Sequence, residues 1–228
     1  MTSINYIRWL GHAAFEIKLA GKTLLIDPWL KDNPMAAEKP EAYTQVDVIL
    51  VTHMHGDHFG DTAEIAKKTG ATVIGVYEVA LEAEKKGAKS IGMNIGGTLT
   101  LGEIKIIMTP ALHTSQKGAP AGYIIRHRNL GIYHAGDTGL FGDIALYAKL
   151  YPIDYALIPI GGHYTMDPEQ AALFVSLFNP KYAIPMHYNT FPPIRQNPEN
   201  FAQQLKKHAP NTKTTISRWA GLAAGFGS

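Results

Sequence analysis

The sequence predicts an α/β fold: two sheets face to face, with helices on both outer sides. Three observations predict it. Hairpin-rich β structure occurs at the start of the chain and again in its middle. Each of these stretches is followed by alternating strand and helix, the pattern of parallel crossovers. With 228 residues, 46% of them hydrophobic and 18% charged, the chain is long and apolar enough to bury a large core. No linker, low-complexity segment or short repeat interrupts it, so 1–228 reads as a single domain.

Ile4 to Leu10, Ala14 to Leu19 and Lys22 to Ile26 are short runs rich in β-branched or aromatic residues and are expected to be strands. Ala20-Gly21 is the tight turn between the last two. Residues 31–45 carry Pro34 and Pro40 and no period, which predicts a loop, a lid or an oligomer contact. Val46 to Val51 is apolar apart from Asp47 and reads as a strand buried on both faces. A helix over Thr62 to Lys68 should end at Gly70, and one over Glu78 to Lys86 at Gly87. Strands at Thr72 to Val76 and Lys89 to Ile91 follow these helices. Thr98 to Leu101, Ile104 to Met108, Tyr123 to His127 and Leu130 to His134 are the mid-chain strands.

The last third alternates helices at Ile144 to Leu150, Pro168 to Phe178 and Pro198 to His208 with strands at Tyr155 to Pro159, Tyr182 to Pro185 and Thr212 to Ser217. Proline at N1, behind Asp167 and Asn197 as N-caps, marks the start of the second and third helices.

A net charge of +2 and scattered lysine pairs give no phosphate-binding stripe, so no nucleic-acid partner is expected. The N-terminus does not read as a signal peptide, and no apolar run approaches a membrane span. A cytoplasmic protein without a membrane partner is the expectation, with a homo-oligomer allowed. The chain has no cysteine, so any metal site must be built from imidazole and carboxylate.

Thr52-His53-Met54-His55-Gly56-Asp57-His58 is the decisive segment. It follows a buried strand and precedes a helix, at the strand end where open α/β sheets place their ligands. Four potential metal ligands in six residues exceed what a solvated loop would gather by chance. Gly56 is expected to let the backbone fold back so that the side chains converge. His113, Asp137 and His187 each follow a predicted strand as well. Singly, each has a plainer reading; Asp137, in Gly-Asp-Thr-Gly, also suits a turn. Their shared position at strand ends raises them as ligands. The donor set suits zinc, and equally manganese, iron or nickel.

This pattern, with Asp27 at the end of an early strand, resembles the ligand signature of the metallo-β-lactamase superfamily over the whole chain. Trp9-Leu10-Gly11-His12-Ala13, Gly161-Gly162-His163-Tyr164 and Met186-His187-Tyr188-Asn189 are similar to a compact, uncharacterised branch of metal-dependent hydrolases. That branch lies near the L-ascorbate-6-phosphate lactonases and, more distantly, the phospholipase D enzymes acting on N-acylphosphatidylethanolamine. The resemblance implies a four-layer αββα sandwich and two divalent ions per chain, zinc being the expected one. His53, His55 and His113 would hold one ion and Asp57, His58 and His187 the other, with Asp137 between them. Asp27 would fix a ligand-bearing loop through hydrogen bonds.

The expected chemistry is hydrolysis of a small soluble ester, lactone or phosphoester by a hydroxide bound to a dinuclear metal site, with Asp57 orienting the nucleophile. His163 is expected to donate a proton or hydrogen bond in the site, or else to be packed structurally. His12 and His134 face the site, or are buried and hydrogen-bonded behind it. Arg195 is the basic residue able to meet an anionic substrate, or forms a surface salt bridge. Tyr188, with Tyr164 and Phe191, lines the cleft or belongs to the core. His127 and His208 read as surface. No long C-terminal extension, large insertion or membrane-binding N-terminal region is evident, which favours a small-molecule substrate. The competing readings are a phosphodiesterase or nuclease, and a metal-binding sensor without catalysis.

Overall fold

A computed structural model describes residues 5–215 and the backbone strand at 223–226. The chain forms two compact units. The first comprises the described residues up to Asn94, together with Thr114–Pro120 and the last strand; the second comprises Ile95–His113 and the described residues 121–215.

In the first unit, β1 (Asn5–Gly11), β2 (Ala14–Leu19) and β3 (Lys22–Ile26) form an antiparallel meander, with β14 (Ala223–Phe226) on the outer side of β1. Ala20 and Gly21 both have positive φ, 51° and 75°, and close a two-residue turn between the paired Leu19 and Lys22. Such a turn matches the twist of its flanking strands. β4 (Val48–Leu50), β5 (Thr72–Val76) and β6 (Lys89–Met93) then continue the sheet in parallel from β3. The helices α1 (Gly56–Phe59), α2 (Thr62–Thr69) and α3 (Tyr77–Lys85) lie in these crossovers. Gly70, at φ 76°, caps α2 as expected. Ile17, Leu25, Ile49 and Val73 are fully buried in this sheet.

The second unit repeats the plan. β7 (Thr98–Leu101), β8 (Ile104–Pro110), β9 (Ala121–His127) and β10 (Leu130–His134) are antiparallel; β11 (Tyr155–Pro159), β12 (Tyr182–Met186) and β13 (Lys213–Thr214) extend β10 in parallel. The helices here are α4 (Ile144–Leu150), α5 (Pro168–Ser176) and α6 (Pro198–His208). The Asp167 side chain accepts from the Gln170 amide in a full capping box, and Asn197 accepts from the Glu199 amide. Both caps were legible in the sequence. Ile106, Ile124, Ile132 and Leu157 are fully buried.

Two expectations need correcting. The strand read over Val46 to Val51 is confined to β4, because Asp47 turns outward to accept from the Thr23 amide and Lys22 Nζ. The strand read over Thr212 to Ser217 is described only as β13; 216 and 217, like Ile4 of the first run, lie outside the described residues.

Each sheet gathers its chemistry at one edge. β3 and β4 are parallel neighbours with Ile26 opposite Leu50, so Asp27 and the 52–58 segment leave from the same edge. The β1–β2 turn carrying His12 lies there too, because β2 runs antiparallel to β3. In the second unit β8, β10, β11 and β12 all run the same way, so the loops bearing His113, Asp137, His163 and His187 share an edge.

Candidate metal centre

In the first unit a buried carboxylate organises the histidines. Asp27 is fully buried, and its Oδ1 accepts from the Thr52 amide at 2.8 Å. Its Oδ2 accepts from Thr52 Oγ1 at 2.6 Å and lies 2.7 Å from His58 Nδ1. A carboxylate only accepts, so His58 carries its proton on Nδ1 and presents a lone pair on Nε2. Thr52 Oγ1 gives its proton to Asp27 and therefore accepts from His53 Nδ1, 2.9 Å away. That leaves the His53 lone pair on Nε2 as well. A metal needs imidazole in this state.

Four histidine rings and Asp57 converge here. His53 Nε2 and His55 Nδ1 are 2.9 Å apart, and the His53 and His58 ring centroids 4.1 Å. The ligand atoms of His12, Asp57 and His58 lie within 4.8 Å of one another. His12 is fully buried, with its Nε2 3.1 Å from Asp57 Oδ2. The sequence left His12 either facing the site or buried and hydrogen-bonded behind it; it is buried and contacts the candidate ligand Asp57 directly. The Trp9 indole N–H donates to the His12 carbonyl at 2.9 Å and pins this turn.

Gly56 does not play the part expected of it. It opens the short helix α1 with no positive φ, and a Cβ there would meet nothing within 4 Å. The convergence comes from α1 itself, which turns Asp57 and His58 inward. Gly60 is the glycine that matters. It has φ 39°, and a Cβ there would stand 2.5 Å from Trp29 Cα. That close approach lets Asp61, which the sequence did not flag, accept from the Leu30 and Lys31 amides at 2.8 and 3.0 Å. Asp61 thereby holds the segment after Asp27 against the helices.

The second unit brings three further candidates together. Asp137 is buried; its Oδ2 lies 2.9 Å from His187 Nε2 and 3.5 Å from His113 Nε2. Gly161 allows the loop after β11 to pack on β12, since a Cβ there would stand 2.5 Å from the His187 carbonyl. His134 is fully buried, and its Nδ1 accepts from the Gly136 amide at 3.1 Å.

Among the described residues, seven that are not glycine have positive φ, and they include His12 at 57°, Asp27 at 44° and His187 at 55°. Each costs about 1 kcal/mol or more, and such strain concentrates at functional sites.

The remaining candidates fall as follows. His163 is exposed, its ring edge-on to Tyr164 at 4.6 Å, so the packed structural reading does not hold. Tyr188 is buried and its hydroxyl is pushed up to about 12 by that burial; it is a core residue rather than an exposed wall. Arg195 is exposed at the end of a 3₁₀ turn over Pro192–Ile194. His127 sits 2.9 Å from Glu103, and His208 3.8 Å from Glu169, both partly exposed. No helix among the described residues is long and apolar enough to cross a membrane.

Residues 6–187 match the family model described as the β-lactamase superfamily domain. A UPF0173 metal-dependent hydrolase of Caldivirga maquilingensis is 51% identical over 218 residues, 94% of this chain and 96% of that protein. Another, from Methanopyrus kandleri, is 47% identical over 92% of this chain and 95% of its own length. The structure of Igni18, a metallo hydrolase from Ignicoccus hospitalis, superposes with a TM-score of 0.92 at 40% identity, covering 99% of this chain and all of that one. The α/β fold with two mixed sheets and flanking helices is thereby established.

Proposed function

The chain belongs to the UPF0173 metal-dependent hydrolases of the β-lactamase superfamily, and from that premise we propose that it hydrolyses a small ester, lactone or phosphoester with two divalent ions. His53, His55 and His113 are assigned to one ion, Asp57, His58 and His187 to the other, and Asp137 to both. Zinc is the expected ion; manganese, iron and nickel also suit these donors. The observation that carries the reading is Asp27, whose hydrogen bonds leave lone pairs on the Nε2 atoms of both His53 and His58. Asp137 supports it, with one carboxylate oxygen beside two histidines.

When bound, the ion pair supplies a water that ionises near neutral pH and an electrophile for the bond under attack. The protein's own groups do the rest. Asp57 orients the nucleophilic water, and His12 holds Asp57 by donating from Nε2. Asp27 and Thr52 keep the ring protons off the ligating nitrogens. His163 gives a proton to the leaving oxygen. The resemblance to the L-ascorbate-6-phosphate lactonases read from the sequence motifs makes lactones the first substrates to try. Screening a lactone, a p-nitrophenyl phosphodiester and a thioester, with metal analysis of the same samples, tests the proposal. Turnover abolished by a chelator and restored by zinc is expected; turnover indifferent to chelation refutes it.

A further inference from the structure

Three loops of the second unit carry candidate active-site residues and exposed apolar side chains together. Leu112 precedes His113, Leu140 lies three residues after Asp137, and Tyr164 follows His163. They are 57%, 39% and 53% exposed. A single exposed leucine needs no explanation. These three belong to loops that the backbone binds into one platform. The Leu112 amide donates to Thr138 Oγ1 at 3.0 Å, and its carbonyl accepts from the Gly139 amide at 2.9 Å. The Met166 amide donates to the Thr138 carbonyl at 3.1 Å, and the Gly162 amide to the Met166 carbonyl at 3.0 Å. A Cβ on Gly139 would stand 4.0 Å from Leu112 Cβ, so the Leu112 side chain starts beside the residue preceding Leu140.

The charge pattern points the same way. Across 111–113, 137–140 and 161–166 there is no lysine or arginine, and Asp137 is the one carboxylate. A phosphate resting on this platform would find no lysine or arginine in it, only the imidazoles of His113 and His163, which are assigned above to a metal ion and to the leaving oxygen. An alkyl or acyl chain would find a leucine, a second leucine and a tyrosine ring.

We infer that this platform receives the apolar acyl part of a carboxylic ester or lactone, so that among the substrates allowed above the natural one carries a hydrocarbon group. The inference rests on the hydrolase reading for its chemistry. The oxygen of water bonds to the acyl carbon, the acyl C–O bond breaks, and the alkoxy oxygen leaves with a proton, giving an acid and an alcohol.

The test uses the zinc-loaded full chain with p-nitrophenyl esters from acetate to octanoate and with bis(p-nitrophenyl) phosphate, each with and without chelator. The kcat/KM should rise about two- to fourfold per added methylene over the first members. Leu112→Asn and Tyr164→Ser should flatten that slope. Chelator-sensitive ester hydrolysis independent of chain length, or a preference for the phosphodiester, overturns the inference while leaving the hydrolase reading intact. Absence of any chelator-sensitive turnover defeats the hydrolase reading. Calorimetric binding of carboxylates from butyrate to decanoate then decides the inference. Affinity that climbs with length and is lost in the two variants upholds the platform, and a flat series removes it.

Discussion

Asp27 Oδ2 lies 2.7 Å from His58 Nδ1, and through Thr52 the same carboxylate sets the proton on His53. One buried acid thus leaves two imidazoles with Nε2 lone pairs, the state that the proposed metal binding requires. Asp27→Asn keeps the shape but turns a donor toward His58, which pushes the ring proton onto Nε2. Metal affinity should fall about ten- to a hundredfold. Competition against a chromophoric chelator measures this, and an unchanged dissociation constant would contradict the role.

His12 positions Asp57 from a strained turn. His12→Asn suits the left-handed backbone, since asparagine tolerates positive φ, but it cannot reach as far as the imidazole does. The variant should fold and bind metal while kcat drops about tenfold or more. Equal kcat in variant and wild type would show that the 3.1 Å contact does nothing for turnover.

His163→Ala separates proton donation from metal binding, because the ring is exposed and its recorded ring contact is with the equally exposed Tyr164. The kcat is expected to fall about a hundredfold with metal content intact. The loss should shrink for esters whose leaving alcohol is already acidic. Full activity on poor leaving groups would eliminate the assignment.

Stability should decline at alkaline pH. The Tyr188 hydroxyl is raised from 10.0 to about 12 by burial, so between those values the unfolded chain has lost a proton that the folded chain keeps. Its contribution is complete below about pH 10 and disappears as pH climbs to about 12. Tyr133, fully buried, is shifted in the same direction. Urea denaturation across this range should show falling stability, with a shallower fall in Tyr188→Phe. Identical slopes in the two proteins would discount Tyr188.

Much of this was legible in the sequence, for identifiable reasons. The alternation of strand and helix fixed the parallel halves of both sheets, and Asp167 and Asn197 announced their helices through side-chain caps. The 53–58 segment stood out because four ligand-type residues crowd six positions. What escaped was whatever local pattern does not encode. His12 was a candidate on its own motif, but its contact with Asp57 was not, because only the pairing of β1 with β2, and of β2 with β3, brings that turn to the edge from which the 52–58 segment leaves. Asp61 looked like any residue before a helix, yet it binds two amides about thirty positions earlier. Gly56 misled because a glycine among ligands suggests a turn, whereas a four-residue helix does the bending. Tyr188 was left open between cleft and core because its neighbour His187 is a ligand candidate, and its burial is a property of the packed sheet that its sequence position does not encode.

Zinc stoichiometry decides whether these side chains hold a pair of ions. The protein, stripped by chelator and titrated with zinc, should take up two equivalents per chain, with hydrolysis returning as the sites fill. His53→Ala and His187→Ala should each lower the uptake and abolish turnover. Hydrolysis that persists in the stripped chain, or uptake of no zinc at all, would contradict the account.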